Sequence, residues 1–313
     1  MRQIANIQRN PDSPELTGYE QFKKVAFMHR SQKLRYMPVG DTGSFMPSLK
    51  RPVRVRARAM PVDSHFEPHA HAWAQLAYCA VGIVQVTTEH KARAADEITY
   101  IVPPSRAVWI APGARHRITV LETAEFRTLY IAPTATPKGW SSCRVIVVSP
   151  LLRETIQALY APDDGKLAVQ REQLLSGLAI DEIARADTQA LGVPMPHPQN
   201  GDKRLRALCE AVMRAPAERG TLAGWAADIG ASERTAARLF RDELGMSYHQ
   251  WRQQAVLAHA LPLLARGQSI SRVTAASGYA SDSAFSAMFK AAMGQSPSHF
   301  QNKNKLRGPS GEP

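Results

Sequence analysis

Between Thr221 and Gln301 the chain carries one pattern twice, 49 positions apart. The first copy, IGASERTAARLFRDELGMSYHQW, spans Ile229 to Trp251, and the second, GYASDSAFSAMFKAAMGQSPSHF, spans Gly278 to Phe300. Superposing them puts Ser232 on Ser281, Phe240 on Phe289, Arg241 on Lys290, Gly245 on Gly294, Ser247 on Ser296 and Trp251 on Phe300. What repeats is a set of caps, aromatics and one glycine. That is the minimum one supersecondary unit needs, so the chain is constrained to build the same unit twice.

Each copy reads as helix, tight turn, helix. Leu222 to Ile229 and Ile270 to Ser277 are the short first helices. Gly230 and the Gly278-Tyr279 pair make the turns, and Ser232 and Ser281 cap the helices that follow. Glu233 and Asp282 suit the positive ends of those helices. At about 100° per residue, Ala236, Leu239 and Phe240 share one face, and Arg234, Arg238 and Arg241 share the other. An arginine stripe opposite an apolar stripe, on the second helix of a helix-turn-helix, fits a major-groove reader. In the second copy Phe285, Met288 and Phe289 point inward, opposite Ser283, Ala287 and Lys290. The residues expected to face DNA are thus Ser232, Arg234, Thr235, Arg238 and Arg241, then Ser281, Ser283, Ala287 and Lys290. The first set holds three cations and the second holds one, so the first should grip harder.

The Gly278-Tyr279 turn, the aromatic ahead of the Phe289-Lys290 pair and the Gly294-x-Ser296-Pro297 ending carry a family signature. Residues 203–301 resemble the DNA-binding domain of the AraC/XylS family of bacterial transcription regulators. Two departures stand out: the family often has arginine where this chain has Ala287, and Pro262 lies inside the connecting helix, where it removes a backbone donor and should bend it. The resemblance implies double-stranded promoter DNA as partner, a small-molecule effector and, for an activator, RNA polymerase.

Charge distribution agrees. The chain has 313 residues and a formal charge of +12. Residues 1–60 hold 12 basic and 4 acidic groups, residues 61–202 hold 12 and 15, and residues 203–313 hold 15 and 8. The C-terminal third suits a polyanion and the middle does not. Cys79, Cys143 and Cys209 lack metal-site spacing and read as reduced thiols. With no apolar run long enough to span a bilayer, and no signal-peptide core, no membrane contact is expected and the location expected is cytoplasmic, at the bacterial nucleoid.

The middle has a different texture. From Val53, the segments VRVRARA, QLAYCAV, IVQVTT, EITYIV, AVWI, RITVL, FRTLYIA and RVIVV follow at short intervals, with Gly and Pro between them. Short strands at this spacing indicate a barrel or jelly roll. VRVRARA alternates as a half-exposed strand does. Within the barrel lie His69-Ala-His71, Gln75 and Gly82, then Pro112-Gly113-Ala-Arg-His116. The pattern resembles the two cupin motifs, in which three histidines and an acid bind a metal, with departures at Gln75 and at the displaced proline. His69, His71 and His116, with Gln75 as a neutral fourth group, are candidate ligands for a divalent metal. No cofactor is otherwise indicated. Retained barrel positions around an effector pocket are the other reading, with Trp73, Tyr78 and Trp109 as candidate walls beside the same histidines and Gln75.

The expected architecture is multidomain, β then all-α. Residues 1–52 form a basic extension, read as disordered, as a DNA-touching arm, or as upstream of a true start at Met60. Residues 53–149 form a cupin-like effector-sensing barrel. Residues 150–193 are a helical region that packs on the barrel or on a second subunit as a homodimer. A stiff Pro-rich linker covers 194–202, the DNA-binding domain 203–301 and a frayed tail 302–313. The leading function is a sequence-specific transcription regulator with a small-molecule sensor, not an enzyme. The competing class is a metal-dependent cupin enzyme carrying a DNA-binding tail.

Overall fold

The computed structural model describes residues 35–37, 45–89, 97–160, 167–189 and 191–305. Most of the expected basic extension and the end of the expected tail lie outside these residues. A ten-stranded sheet is built from β1 (Arg35–Met37), β2 (Val53–Met60), β3 (Ser64–His69), β4 (Ala74–Glu89), β5 (Glu97–Val102), β6 (Arg106–Ile110), β7 (His116–Ile131), β8 (Arg144–Val147), β9 (Thr188–Gln189) and β10 (Gly192–Met195). The long strands β4 and β7 pair with each other and organise the rest. β7 also takes β2 and β3, and β4 also takes β5 and β6. The β4–β7 register slips between Cys79 and Val84. Gly82 sits in that slip at φ +80°, where a Cβ would lie 2.2 Å from the Thr123 carbonyl oxygen. The glycine of the cupin-like motif is thus required by close backbone approach.

Strand alternation splits the side chains between two cores. Leu76 and Tyr78 of β4, Ala107 and Trp109 of β6, and Val53 and Val55 of β2 face outward. They meet Leu152 and Ile156 of α1 (Pro150–Leu159) and Ala179 and Ile183 of α2 (Val169–Arg185). Ala77 and Cys79, and Val108 and Ile110, face the other way, into the barrel. Residues 150–193 thus include the expected helix pair, followed by strands β9 and β10, which rejoin the sheet.

Three expectations change here. VRVRARA alternates buried and partly exposed positions over its first half, but its partly exposed side is not the outer one. Its valines are covered by the helix pair, and Arg56 and Arg58 line a void inside the barrel. A start at Met60 would remove a strand paired with β7 along its whole length, ending in a fully buried Met60. Residues 45–52 pack rather than trail: Phe45 lies under the Arg56 guanidinium at 5.1 Å, and Arg51 pairs with Glu172 at 3.0 Å.

The Pro-rich stretch is also more than a linker. Gly192–Met195 pairs antiparallel with β5, placing Pro194 opposite Ile98. A proline is tolerated on this strand because an edge position leaves one side without ladder bonds. The DNA-binding domain then follows as α3 (Lys203–Arg214), α4 (Leu222–Asp228), α5 (Glu233–Leu244), α6 (Tyr248–Ala265), α7 (Ile270–Ala276), α8 (Asp282–Met293) and α9 (Pro297–Lys305). It joins the barrel through apolar and polar contacts. Trp251 Nε1 donates to the Pro194 carbonyl at 2.7 Å, and the buried Arg106 donates to the Met293 carbonyl at 2.9 Å. Arg266 pairs with Glu122. The barrel interior and the DNA-binding domain form one continuous apolar cluster through Leu191, Val193, Met195 and Trp251. Helix α6 runs three residues past Pro262, where the Arg266 N–H closes on the Pro262 carbonyl at 3.0 Å.

Candidate functional site

The two expected reading helices are α5 and α8. Each starts at its serine: Ser232 Oγ accepts from the Thr235 N–H at 3.1 Å, and Ser281 Oγ from the Ala284 N–H at 3.2 Å. Each stops at a left-handed glycine, Gly245 at φ 68° and Gly294 at φ 72°. A residue with a Cβ is strained in that conformation, which is why the glycine repeats. Ala236, Phe240 and Leu244 bury one face of α5; Phe285, Phe289 and Met293 bury the matching face of α8. Leu239 and Met288 are only partly covered.

Burial of those faces fixes what remains outside. Arg234, Arg238 and Arg241 are exposed on α5, and among the described residues no carboxylate pairs with them. Thr235 is half-buried, its hydroxyl 2.9 Å from Ser232 Oγ, so both polar groups serve the cap. On α8, Ser281, Ser283, Ala287 and Lys290 are exposed. Asp282 at its start is held by Ser271, which with Thr274 lowers its pKa.

In the barrel, three histidines converge from different pieces of chain. His69 ends β3, His116 opens β7, and the two are register partners; His71 lies in the turn between β3 and β4. One potential ligand atom from each lies within 4.8 Å of the others. Each ring donates Nδ1–H to a backbone carbonyl: His69 to Glu67 at 2.8 Å, His71 to Trp73 at 2.7 Å, and His116 to Ala114 at 3.0 Å. A carbonyl only accepts, so these bonds fix the tautomer and leave each lone pair on Nε2. Gln75 Oε1 lies 2.8 Å from His71 Nε2; with the His71 Nδ1–H given to Trp73, this contact is a hydrogen bond only when the Gln75 amide is turned to donate its N–H, and the His71 lone pair is then taken by Gln75. His116 Nε2 is buried with no hydrogen-bond partner among the described residues. Burial chiefly, with His69 and His71 adding, pushes its pKa down to about 3, opposed by the bond to Ala114. Burial also lowers that of His69. The ring of His116 is therefore neutral and its unpartnered lone pair is available to a cation.

The candidate pocket walls sort differently from expectation. Trp73 stacks on His71 and meets Tyr130 edge-on, beside the histidines. Tyr78 and Trp109 do not line this space. Both are buried on the outer face, where Trp109 Nε1 donates to the Trp140 carbonyl. Parity explains it: Gln75 and Tyr78 are three apart on one strand and must point to opposite faces. The space next to the histidines, about 330 Å³ when the open solvent at its mouth is counted, is lined by His69 and Gln75 together with Arg56, Arg58, Thr128 and Tyr130. Phe66, Ile118 and Phe126 complete it. The arginines escaped the sequence reading because alternation shows that they share a face, not which face is inside.

Known proteins agree with both halves. Residues 51–191 match the model of the AraC-like ligand binding domain, and residues 225–303 match a helix-turn-helix domain model. The HTH-type transcriptional regulator NimR of Escherichia coli is 34% identical over 233 residues, covering 74% of this chain and 81% of that protein. The regulator RipA of Corynebacterium glutamicum is 33% identical over 132 residues, 42% of this chain and 39% of its own. Among solved structures, ToxT of Vibrio cholerae aligns with 80% of this chain and 98% of its own, at 11% identity and a TM-score of 0.33.

Proposed function

We propose how this protein works from one premise: the chain belongs to the AraC/XylS family of transcription regulators. It is a DNA-binding regulator with an N-terminal ligand-binding barrel and a C-terminal helix-turn-helix domain. Its reading helices α5 and α8 enter successive major grooves on one face of promoter DNA. The observation that carries this is the row of exposed arginines on α5, paired with no carboxylate among the described residues and repeated in position but not in charge on α8. The connector α6 has 18 residues, or about 27 Å at 1.5 Å each. Successive grooves recur about 34 Å apart. With its flanking turns the connector fits that spacing when DNA bends moderately. Footprinting of the full chain should show two protected grooves one turn apart, over about 15–20 base pairs per chain. Protection of a single groove would defeat this reading.

The barrel senses a small molecule and is not a catalyst. Two features support that: among the described residues no Asp or Glu lines the void, and the homologous NimR is a regulator. His69, His71 and His116 would hold a divalent cation, with Gln75 beside them. The orphaned His116 nitrogen and the three backbone-fixed tautomers are the features that fit one. The ion would supply a Lewis-acidic point for an oxygen of the effector. Elemental analysis should find near-stoichiometric metal in the protein and none in His71→Ala. Metal-free protein whose effector response survives that substitution would leave the histidines as packing groups. A second copy would dock on the helix pair, where Leu151, Val169 and Leu174 are exposed, and sedimentation of Leu174→Glu against the parent measures it. RNA polymerase contact belongs to the activator form of this reading, and the bacterial cytoplasm is its setting.

A further inference from the structure

The turn of the second helix-turn-helix unit is built differently from that of the first. Between the left-handed glycine and the serine cap, the first has Ala231 alone and the second has Tyr279 and Ala280. A Cβ on Gly230 would meet nothing within 4 Å. One on Gly278 would lie 2.9 Å from Arg252 Nη2, 3.0 Å from Ala217 Cα and 3.1 Å from the Pro216 carbonyl oxygen. Gly278, at φ +71°, is therefore needed twice, for its backbone conformation and for the space beside it. That space holds a joint between the units. Arg252 comes from near the start of the connector α6, Pro216 and Ala217 from the loop that leads into the first unit, and Gly278 from the turn of the second. The guanidinium engages the second unit in two ways. Its Nη2 donates to the Ser277 carbonyl at 3.3 Å, and its Cζ lies 5.7 Å from the centre of the Tyr279 ring. Ser277 is fully buried and follows the last residue of α7, where helix carbonyls favour a cation. Among the described residues no carboxylate pairs with Arg252.

We propose that Arg252 is a positioning residue for DNA reading: it fixes the angle between the connector and the second unit, and so the spacing at which α5 and α8 meet two grooves. It does this without touching DNA. Connector and second unit also share apolar packing, with Ala255, Leu261, Val273 and Phe300 in one cluster. Apolar burial has no direction and leaves the angle loosely set. A planar guanidinium bonded to a carbonyl and laid on a ring does have direction. The proposal rests on the reading that α5 and α8 enter successive grooves, and it names what holds them in register. One base pair inserted between the two half-sites turns the second by about 35° and moves it by about 3.4 Å. A fixed joint resists that shift, and a loosened joint follows it.

The test uses the full chain and a duplex site that the parent protein selects from a random DNA library, footprinted to locate its protected grooves. Copies of that site carry one base pair added or removed between the two half-sites. The parent should bind the shifted copies at least tenfold more weakly. In Arg252→Gln that penalty should fall below threefold, while affinity for the unshifted site drops a few-fold and its salt dependence stays the same. Arg252→Lys keeps the charge and loses the flat stack on Tyr279, so its penalty should lie between the two. Circular dichroism and thermal melting check the fold; if Arg252→Gln misfolds, Tyr279→Leu takes its place and should lower the penalty at least twofold. A parent footprint with one protected groove removes the two-groove reading and the proposal with it. Two protected grooves with no spacing penalty in the parent, or with the same penalty in parent and variant, overturn the proposal alone and leave that reading standing. A shallower salt dependence in Arg252→Gln with the penalty retained marks Arg252 as a phosphate contact and overturns the proposal too.

Discussion

The two helix-turn-helix units share a scaffold and differ in the charge they expose. Both begin at a serine cap, bury a phenylalanine at the same depth and end at a left-handed glycine. Beyond that they differ. The first unit turns outward on α5 three arginines that pair with no carboxylate among the described residues, whereas the second turns out Ser283, Ala287 and one lysine. Both are tied to the barrel: the first through Trp251, which donates to the Pro194 carbonyl of β10, and the second through Arg106, which donates to the last carbonyl of α8, and Arg266, just before α7, which pairs with Glu122. On the proposed reading the first unit carries the charge to grip phosphate, while both units carry links to the barrel. Duplication fixes the backbone, and the exposed positions are free to specialise.

The strongest way to break this comparison is to attack what the units share. Phe240→Ala and Phe289→Ala should each cost about 3–5 kcal/mol, because both rings are fully buried and truncation leaves a cavity. Chemical denaturation of the full chain measures both. A difference of more than about 2 kcal/mol would mean that the scaffolds are not equivalent. The next effect separates the units. Arg238→Ala should weaken DNA binding by about 1–3 kcal/mol if it reads a guanine. Ser283→Ala and Lys290→Ala should each cost less, in titrations at fixed salt. Equal losses from both helices would erase the asymmetry.

Smaller effects sharpen it. Ser232→Ala and Ser281→Ala should each destabilise by about 1 kcal/mol, since each removes one cap acceptor. Ser232→Ala should also loosen Thr235, whose hydroxyl it holds. Thermal melts give the first result, and amide exchange at the start of α5 the second. The smallest is Arg266→Ala. That ion pair is partly exposed, so its loss should cost below about 1 kcal/mol in stability. Its value lies in the footprint: protection over the α8 half should change while the α5 half does not. An unchanged footprint would mean that this contact does not position the second unit.

Much of the DNA-binding half was legible because its signals are local. A cap, a turn glycine and a 3.6-residue period are each decided within a few residues of chain, and stating them twice removed ambiguity. The barrel strands were legible for the same reason, and so were His69, His71 and His116, whose spacing matched a known motif. The wall of the void was not. Trp73 stands beside the histidines without lining the void, and the candidates Tyr78 and Trp109 face the other core, Tyr78 having the wrong parity relative to Gln75. Trp109 needed its strand partners, since its outward face is set by β8 and the helix pair.

By itself the sequence determined the two units, the β-to-α order and the residue types available at each site. Only the tertiary structure decided where the arginines of β2 point. Alternation leaves two choices, and the valines settled the matter by burying under α1 and α2, which sends Arg56 and Arg58 inside. The Pro-rich stretch is the same lesson at the domain scale. Its composition reads as a spacer, yet Gly192–Met195 found an open edge on β5, and the Pro194 carbonyl became the acceptor for Trp251. A local pattern states what a segment tolerates; a partner distant in sequence decides which tolerance is used, because hydrogen-bond pairing and apolar burial are satisfied only across the assembled chain.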